Sequence, residues 1–222
     1  MIKMKKSRQV NLGSLVYEKI RDLITYGELS PGEKIVESTV SKHFDASRIP
    51  IREAIKQLEA RGYVITIHNK GTYVRKISWE EVENIYNVLS ILEGYSTGLA
   101  FGNIRNQDIE QLQKLNDTLK ELNNLNKYRD YIEINSQFHS FFPKMCGNDF
   151  LLNLVKEMRD RVYRYRFLGI TIPGHIQEYI LDHEAIIEAI KQGDSAKAEE
   201  TMKKHLQRVK KILVESLRQF ST

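Results

Sequence analysis

Leu15, Val16, Ile20, Leu23 and Ile24 recur at helical spacing, and the pattern stops near Gly27, ahead of the turn residues Ser30, Pro31 and Gly32. A short second helix is expected from Glu37 to Phe44. Asp45 and Ala46 form a tight connection, and Ser47 is placed to N-cap a third helix. Pro50 falls in the first turn of that helix, where its missing N–H costs nothing. The helix runs to about Arg61 and ends at Gly62. Two β-rich runs, Tyr63 to Ile67 and Thr72 to Arg75, flank His68, Asn69, Lys70 and Gly71, the composition of a hairpin with its tip at those four residues. The order is that of a winged helix-turn-helix.

Beyond Ser78 the hairpin signals cease. Helices are expected at about 79–103, 107–126, 128–144, 149–168, 175–192 and 195–219, with breaks at Gly102-Asn103, Gly147-Asn148, Pro173-Gly174 and Gly193-Asp194. The fold class is therefore mainly α: an N-terminal winged helix-turn-helix over residues 1–76 and a C-terminal all-α six-helix bundle over 79–222. A short linker lies around Lys76 to Ser78. There is no internal repeat and no low-complexity segment.

Composition agrees with a globular helical protein, since 41% of the 222 residues are apolar, 28% are charged, and there are only 4 Pro and 12 Gly. No apolar run approaches the roughly 18 residues of a membrane span. The start, Met1 to Arg8, is basic but leads into no signal-peptide core, so a cytoplasmic protein without membrane contact is expected. Cys146 stands alone and cannot form an internal disulfide or, by itself, a thiolate metal site, which fits a reducing compartment. Charge divides the chain more sharply. Residues 1–76 carry 15 Lys and Arg against 8 Asp and Glu, a net +7, whereas the remainder carries 19 against 21, a net −2. A basic small domain on a slightly acidic larger one suggests a polyanion partner for the first, because clustered cations gain by displacing counterions from nucleic acid.

On the third helix Arg48, Arg52 and Lys56 are spaced i, i+4, i+8 and share a face, opposite the apolar stripe of Ile51, Ala54, Ile55 and Leu58. Two arginines near a helix N-terminus can enter the major groove and offer paired donors to guanine O6 and N7, while Lys56 reaches phosphate. Such spacing also occurs on ordinary solvated helix faces; the flanking turn and hairpin favour recognition. These residues also carry a resemblance. Gly27-Glu28-Leu29-Ser30-Pro31-Gly32, Ser47-Arg48-Ile49-Pro50-Ile51-Arg52-Glu53-Ala54-Ile55 and Leu58-Glu59-Ala60-Arg61-Gly62-Tyr63-Val64 resemble the DNA-binding domain of the GntR transcription factors. The resemblance implies that Arg48 and Arg52 contact bases, that Ser47 contacts phosphate, and that His68, Asn69, Lys70 and Gly71 form a wing tip entering the minor groove. Ser38 stands where some relatives carry a further base-reading arginine, so the operator sequence does not transfer.

In the second domain Asn135 and His139 lie four apart on one helix and point the same way. His183 and His205 are each 11 residues from Asp194, one along each arm of the expected helical hairpin, so they should sit level across it. Three imidazoles and an amide oxygen can then converge inside the bundle, a usual location for metal or ligand sites. Here too a resemblance follows. Asn135-Ser136-Gln137-Phe138-His139 with Gly147-Asn148, His183-Glu184-Ala185-Ile186-Ile187, and Gly193-Asp194 with His205-Leu206 are similar to the FadR C-terminal (FCD) effector domain of the same family. That resemblance implies a divalent metal such as zinc, nickel or manganese, held in many members by an Asp and three His, which helps coordinate a carboxylate effector. Asn135 stands in the Asp position. A neutral amide attracts the cation less, so either metal affinity falls or an anionic effector becomes a larger part of the coordination. Leu89-Ser90-Ile91-Leu92-Glu93 resembles the family's Arg-x-x-Leu-Glu segment with Leu89 in place of the arginine. The donors Arg159, Arg161, Arg164 and Arg166, with Tyr163 and Tyr165, offer candidates for an effector carboxylate, Arg159 and Arg164 first; half or more of the four arginines are expected to face solvent.

The reading is a non-enzymatic regulator: a homodimer whose winged domains read an inverted-repeat operator in double-stranded DNA and whose helical domains dimerise and sense a small organic acid. A two-fold symmetric pair doubles the contacts that one small helix can make. The rival is a metal-dependent hydrolase built on Asn135, His139, His183 and His205. It lacks a clear general base, because no HExxH is present and none of Glu178, Asp182 and Glu184 has a distinguishing spacing. A module for RNA or membrane is disfavoured, since the cations sit on a helix beside a wing and no aromatic stacking platform accompanies them.

Overall fold

The structure is a computed structural model that describes residues 12–172 and 174–220; the basic start Met1 to Arg8 and the expected break at Pro173 lie outside the described residues. The chain divides into two compact units, 1–76 and 77–222.

The first unit runs α1 (Leu12–Thr25), β1 (Lys34–Ile35), α2 (Glu37–Phe44), α3 (Arg48–Ala60), β2 (Val64–Ile67) and β3 (Gly71–Val74). Its core takes Val16, Tyr17 and Ile20 from α1 and Ile51, Ala54, Ile55 and Leu58 from α3, the stripe that the spacing selects. On α1 the face is rotated from expectation: Leu15 is largely exposed and Tyr17 is buried. The turn between α2 and α3 places Asp45 in the left-handed region, and the Ser41 hydroxyl donates to the Ala46 carbonyl at 2.7 Å while Ala46 itself is buried. The end of α3 is closed by Gly62 at φ +77°. Its N–H reaches Glu59 O at 3.0 Å, and Tyr63 N–H reaches Leu58 O at 2.9 Å, a Schellman closure that sends the chain into the wing.

The hairpin pairs Val64 with Val74 through Ile67 with Gly71, so Gly71 is the first residue of β3 and the turn proper is His68 to Lys70. One strand was not expected. β1, two residues long, pairs with β3 through Lys34 opposite Tyr73 and Ile35 opposite Thr72, giving a sheet ordered β1-β3-β2. A run of two residues is too short to carry any periodicity. The Glu59 carboxylate accepts from Thr66 N–H at 2.7 Å and ties the wing to α3.

The second unit is helical throughout: α4 (Trp79–Ala100), a short 3-10 turn (Phe101–Asn103), α5 (Asn106–Asn124), α6 (Tyr128–Met145), α7 (Asp149–Thr171), α8 (Ile176–Lys191) and α9 (Ser195–Phe220). Six α-helices enclose one core centred on Leu89, Leu112, Phe138, Phe142, Tyr165 and Met202. α4 and α9 run antiparallel in close contact, because a Cβ at Gly94 would run into the Lys203 side chain. α8 also ends in a Schellman closure, with Gly193 at φ +77° and Asp194 N–H bonded to Ala189 O at 3.0 Å. The Asp194 carboxylate then accepts from Lys197 N–H at 2.9 Å and starts α9. This turn sets the α8–α9 hairpin that places the histidines.

Candidate functional site

In the first unit the side chains of Arg48, Arg52 and Lys56 stand exposed on α3, on the side away from its buried stripe. Ser47 sits at the N-cap position without a side-chain cap bond. His68, Asn69 and Lys70 are exposed at the wing tip, and Gly71 is half-buried at the start of β3. Sequence reasoning missed Glu37 at the start of α2, whose carboxylate accepts from Arg52 Nε at 3.2 Å. The pair is exposed on both sides and contributes little to stability; it holds the guanidinium at the face rather than free in solvent.

In the second unit His139 from α6, His183 from α8 and His205 from α9 converge, with ring centroids 4.8 to 5.1 Å apart. All three are buried, and one potential ligand nitrogen from each lies within 4.8 Å of the others. Two of them are oriented by carboxylates. His139 Nδ1 is 3.0 Å from Glu93 Oε2, and His205 Nδ1 is 3.2 Å from Asp182 Oδ2, which leaves the Nε2 of each ring for a ligand. Asp182 is fixed in turn by Arg208 Nε at 3.1 Å. His183 stacks on Phe138 at 4.0 Å, and neither of its ring nitrogens meets a protein hydrogen-bond partner. Burial, then the cations Arg159 and Arg166 and the neighbouring His205, hold His139 well below the ordinary imidazole range. His183 is lowered in the same sense by burial, then by His205, His139 and Arg159. Neutral imidazoles are what a metal requires, and an orphaned buried nitrogen on His183 is what a metal would satisfy. The donor set fits a divalent cation.

Asn135, half-buried one turn before His139, lines a cavity of about 50 Å³ that His139 and His205 also line, room for a few waters or a small ligand. Arg159 and Arg166 enter the same cavity from α7, whereas Arg164 does not. Arg164 is buried elsewhere, donating to Glu81 Oε2 at 2.7 Å and to the Tyr165 hydroxyl. Helical geometry accounts for the exchange: Arg166 is seven residues from Arg159 and so nearly in line with it, while Arg164 is five away and about 140° around the helix. Of the four arginines only Arg161 is exposed, fewer than expected. Arg159 is ion-paired with both oxygens of buried Glu93. Arg166 donates to Ser136 Oγ and lies over the Tyr163 ring at 5.2 Å. Leu89, where the resemblance places an arginine, is fully buried in the core, and a guanidinium reaches Glu93 from α7 instead. Tyr131 and Tyr179 also line this cavity, and their hydroxyls are buried and without protein partners. Burial pushes both phenols up, so they remain neutral donors. Glu93 had a signal in the sequence: it continues the otherwise apolar series Val82, Tyr86, Leu89, so a carboxylate interrupts the buried face of α4.

A winged helix-turn-helix joined to a six-helix unit defines a DNA-binding transcriptional regulator. Residues 12–74 match the bacterial regulatory proteins of the gntR family, and residues 84–208 match the FCD domain. The chain belongs to the GntR family, in its FCD-bearing architecture. It is 28% identical over 191 residues to the HTH-type transcriptional regulator YdhC of Bacillus subtilis, covering 86% of this chain and 84% of that one. The HTH-type transcriptional repressor GlaR of Escherichia coli is 27% identical over 198 residues, covering 86% and 90%. Among solved structures, Escherichia coli McbR/YncC shares the fold with a TM-score of 0.80 at 20% identity, over 94% of this chain and all of that one. Among the described residues no helix is long and apolar enough to cross a membrane.

Proposed function

We propose that the protein is a metal-assisted sensor of a small organic acid which regulates transcription as a homodimer on an inverted-repeat operator. The observation that carries this reading is the convergence of three buried histidines, two of which, His139 and His205, line one small cavity together with Arg159 and Arg166. His139, His183 and His205, with Asn135, would hold the cation. A bound zinc, nickel or manganese ion would supply positive charge and open coordination positions for a carboxylate oxygen. Arg166, which donates to a serine hydroxyl, supplies a charged donor for the same anion. Arg159 exchanges part of its pairing with Glu93 for the ligand. With an amide rather than a carboxylate at position 135, the site is more positive by one charge, which favours an anionic effector. At the other end of the chain, Arg48 and Arg52 read bases, Ser47 and Lys56 contact phosphate, and His68, Asn69, Lys70 and Gly71 place the wing in the minor groove.

An effector regulates only if it binds the DNA-competent and DNA-incompetent states with different affinity. The test is a gel shift with DNA from upstream of the protein's own gene, with and without a panel of small carboxylates on zinc-loaded protein. At least one acid is expected to change operator affinity severalfold, and Arg166→Ala is expected to abolish that response while leaving DNA binding intact. A response unaffected by Arg166→Ala, or none to any acid, contradicts the reading.

A further inference from the structure

Ile49 is 71% exposed, the most open large apolar residue described in the first unit, and it sits in the first turn of α3. At about 100° per residue it lies nearly opposite the buried stripe of Ile51, Ala54, Ile55 and Leu58, in the middle of the outer face. Its neighbours there are Arg52, three residues on, and Lys56, seven on, with Arg48 adjoining in sequence; all three are exposed. Ile49 therefore contributes nothing to the core, and it places hydrocarbon at the centre of a cationic face. Water is a poor partner for that side chain. A polyanion with hydrocarbon at the matching depth is a good one, and in the major groove the thymine 5-methyl is the hydrocarbon that base edges present. Isoleucine suits the task because its β-branched χ1 is already restricted in a helix, so little freedom is lost when it is placed against a methyl.

We propose that Ile49 is a specificity-determining residue that reads the 5-methyl group of one thymine per half-site, beside the bases met by Arg48 and Arg52. The inference rests on the reading of α3 as the major-groove helix. It differs from that reading in what is recognised: a methyl group through apolar contact rather than guanine acceptors through hydrogen bonds.

The experiment uses the full chain and a duplex enriched on it from a random library. Each thymine of the enriched duplex is replaced singly by deoxyuridine, which removes the methyl and keeps every hydrogen-bonding group. One position per half-site is expected to weaken wild-type binding about threefold to fivefold, the worth of one buried methyl. Ile49→Ser is expected to bind the thymine and uracil duplexes alike, and Ile49→Val to retain most of the discrimination. Because Ile49 is 71% exposed and lies outside the buried stripe of α3, unchanged melting temperatures serve as the folding control. No methyl-sensitive position, or one equally sensitive in Ile49→Ser, overturns the inference while leaving α3 as the reading helix. If no duplex enriches, or if Arg48→Ala and Arg52→Ala bind the enriched duplex as wild type does, the assignment of α3 falls with it.

Discussion

Arg159, Arg164 and Arg166 occupy one helix within eight residues and divide between two sites, Arg159 and Arg166 at the cavity and Arg164 away from it. Position around the helix decides the division. Arg164→Ala removes one partner of Glu81 and the buried contact with Tyr165, and is expected to lower the melting temperature, by about 3 kcal/mol in stability, without changing effector response. Arg166→Ala is expected to do the reverse. Thermal melts and gel shifts on the two variants separate the roles, and a swapped pattern would move the anion site away from the cavity.

The buried histidines carry a pH dependence. His139 and His183 stay neutral in the folded chain well below 6.5, whereas the unfolded chain protonates them near that value. Below about pH 6.5 the unfolded state therefore binds more protons, and stability falls as pH drops, by up to about 1.4 kcal/mol per pH unit for each residue; above it their contribution is flat. Urea titrations of chelator-treated protein at pH 7.5 and 5.5 are expected to show this loss, reduced in His183→Leu. An identical loss in His183→Leu would mean that His183 is not held neutral by burial. Much of the centre was legible at this scale: Asn135 and His139 through their four-residue spacing, His183 and His205 through their equal distance from Asp194. Asp182 was not singled out, because it acts through His205 and Arg208 on another helix, and spacing along one chain segment does not report such pairs; Glu93 and Arg166 did leave local signals, the one interrupting the apolar series of α4 and the other lying seven residues from Arg159.

At the scale of elements, the turn at Gly193 keeps His183 and His205 level. Its φ of +77° lies in a region that a Cβ disfavours, so Gly193→Ala is expected to cost about 1 kcal/mol or slightly more. Thermal melts should show the loss, and no loss would mean that the α8–α9 connection is not fixed by this backbone conformation. The six helices and the wing follow from long periodic runs bounded by Gly and Asn, which is why they could be read from sequence. β1 could not, since its two residues take their strand geometry from pairing with β3 rather than from any pattern of their own. α3 was legible for both its faces. Arg48→Ala or Arg52→Ala is expected to reduce operator affinity by about 1 to 3 kcal/mol and to relax base preference, with Lys70→Ala weakening binding more evenly across sequences. Gel shifts against varied duplexes check this, and unchanged affinity in both arginine variants would contradict the assignment.

For the whole molecule, charge and chemistry are segregated: the net +7 of residues 1–76 accompanies the exposed face of α3, and the buried histidine cluster lies in the slightly acidic remainder. A regulator built this way needs the second unit to report occupancy to the first, and the central claim is that a metal makes the second unit a receptor. The direct measurement is metal content per chain by elemental mass spectrometry, on tag-free protein purified without chelators and after loading with zinc, nickel or manganese, beside His139→Ala and His183→Ala. The account predicts about one metal ion per chain in the wild type and loss of it in both variants, with the helical signal retained. No retained metal after loading, or an equal amount in the histidine variants, would contradict it.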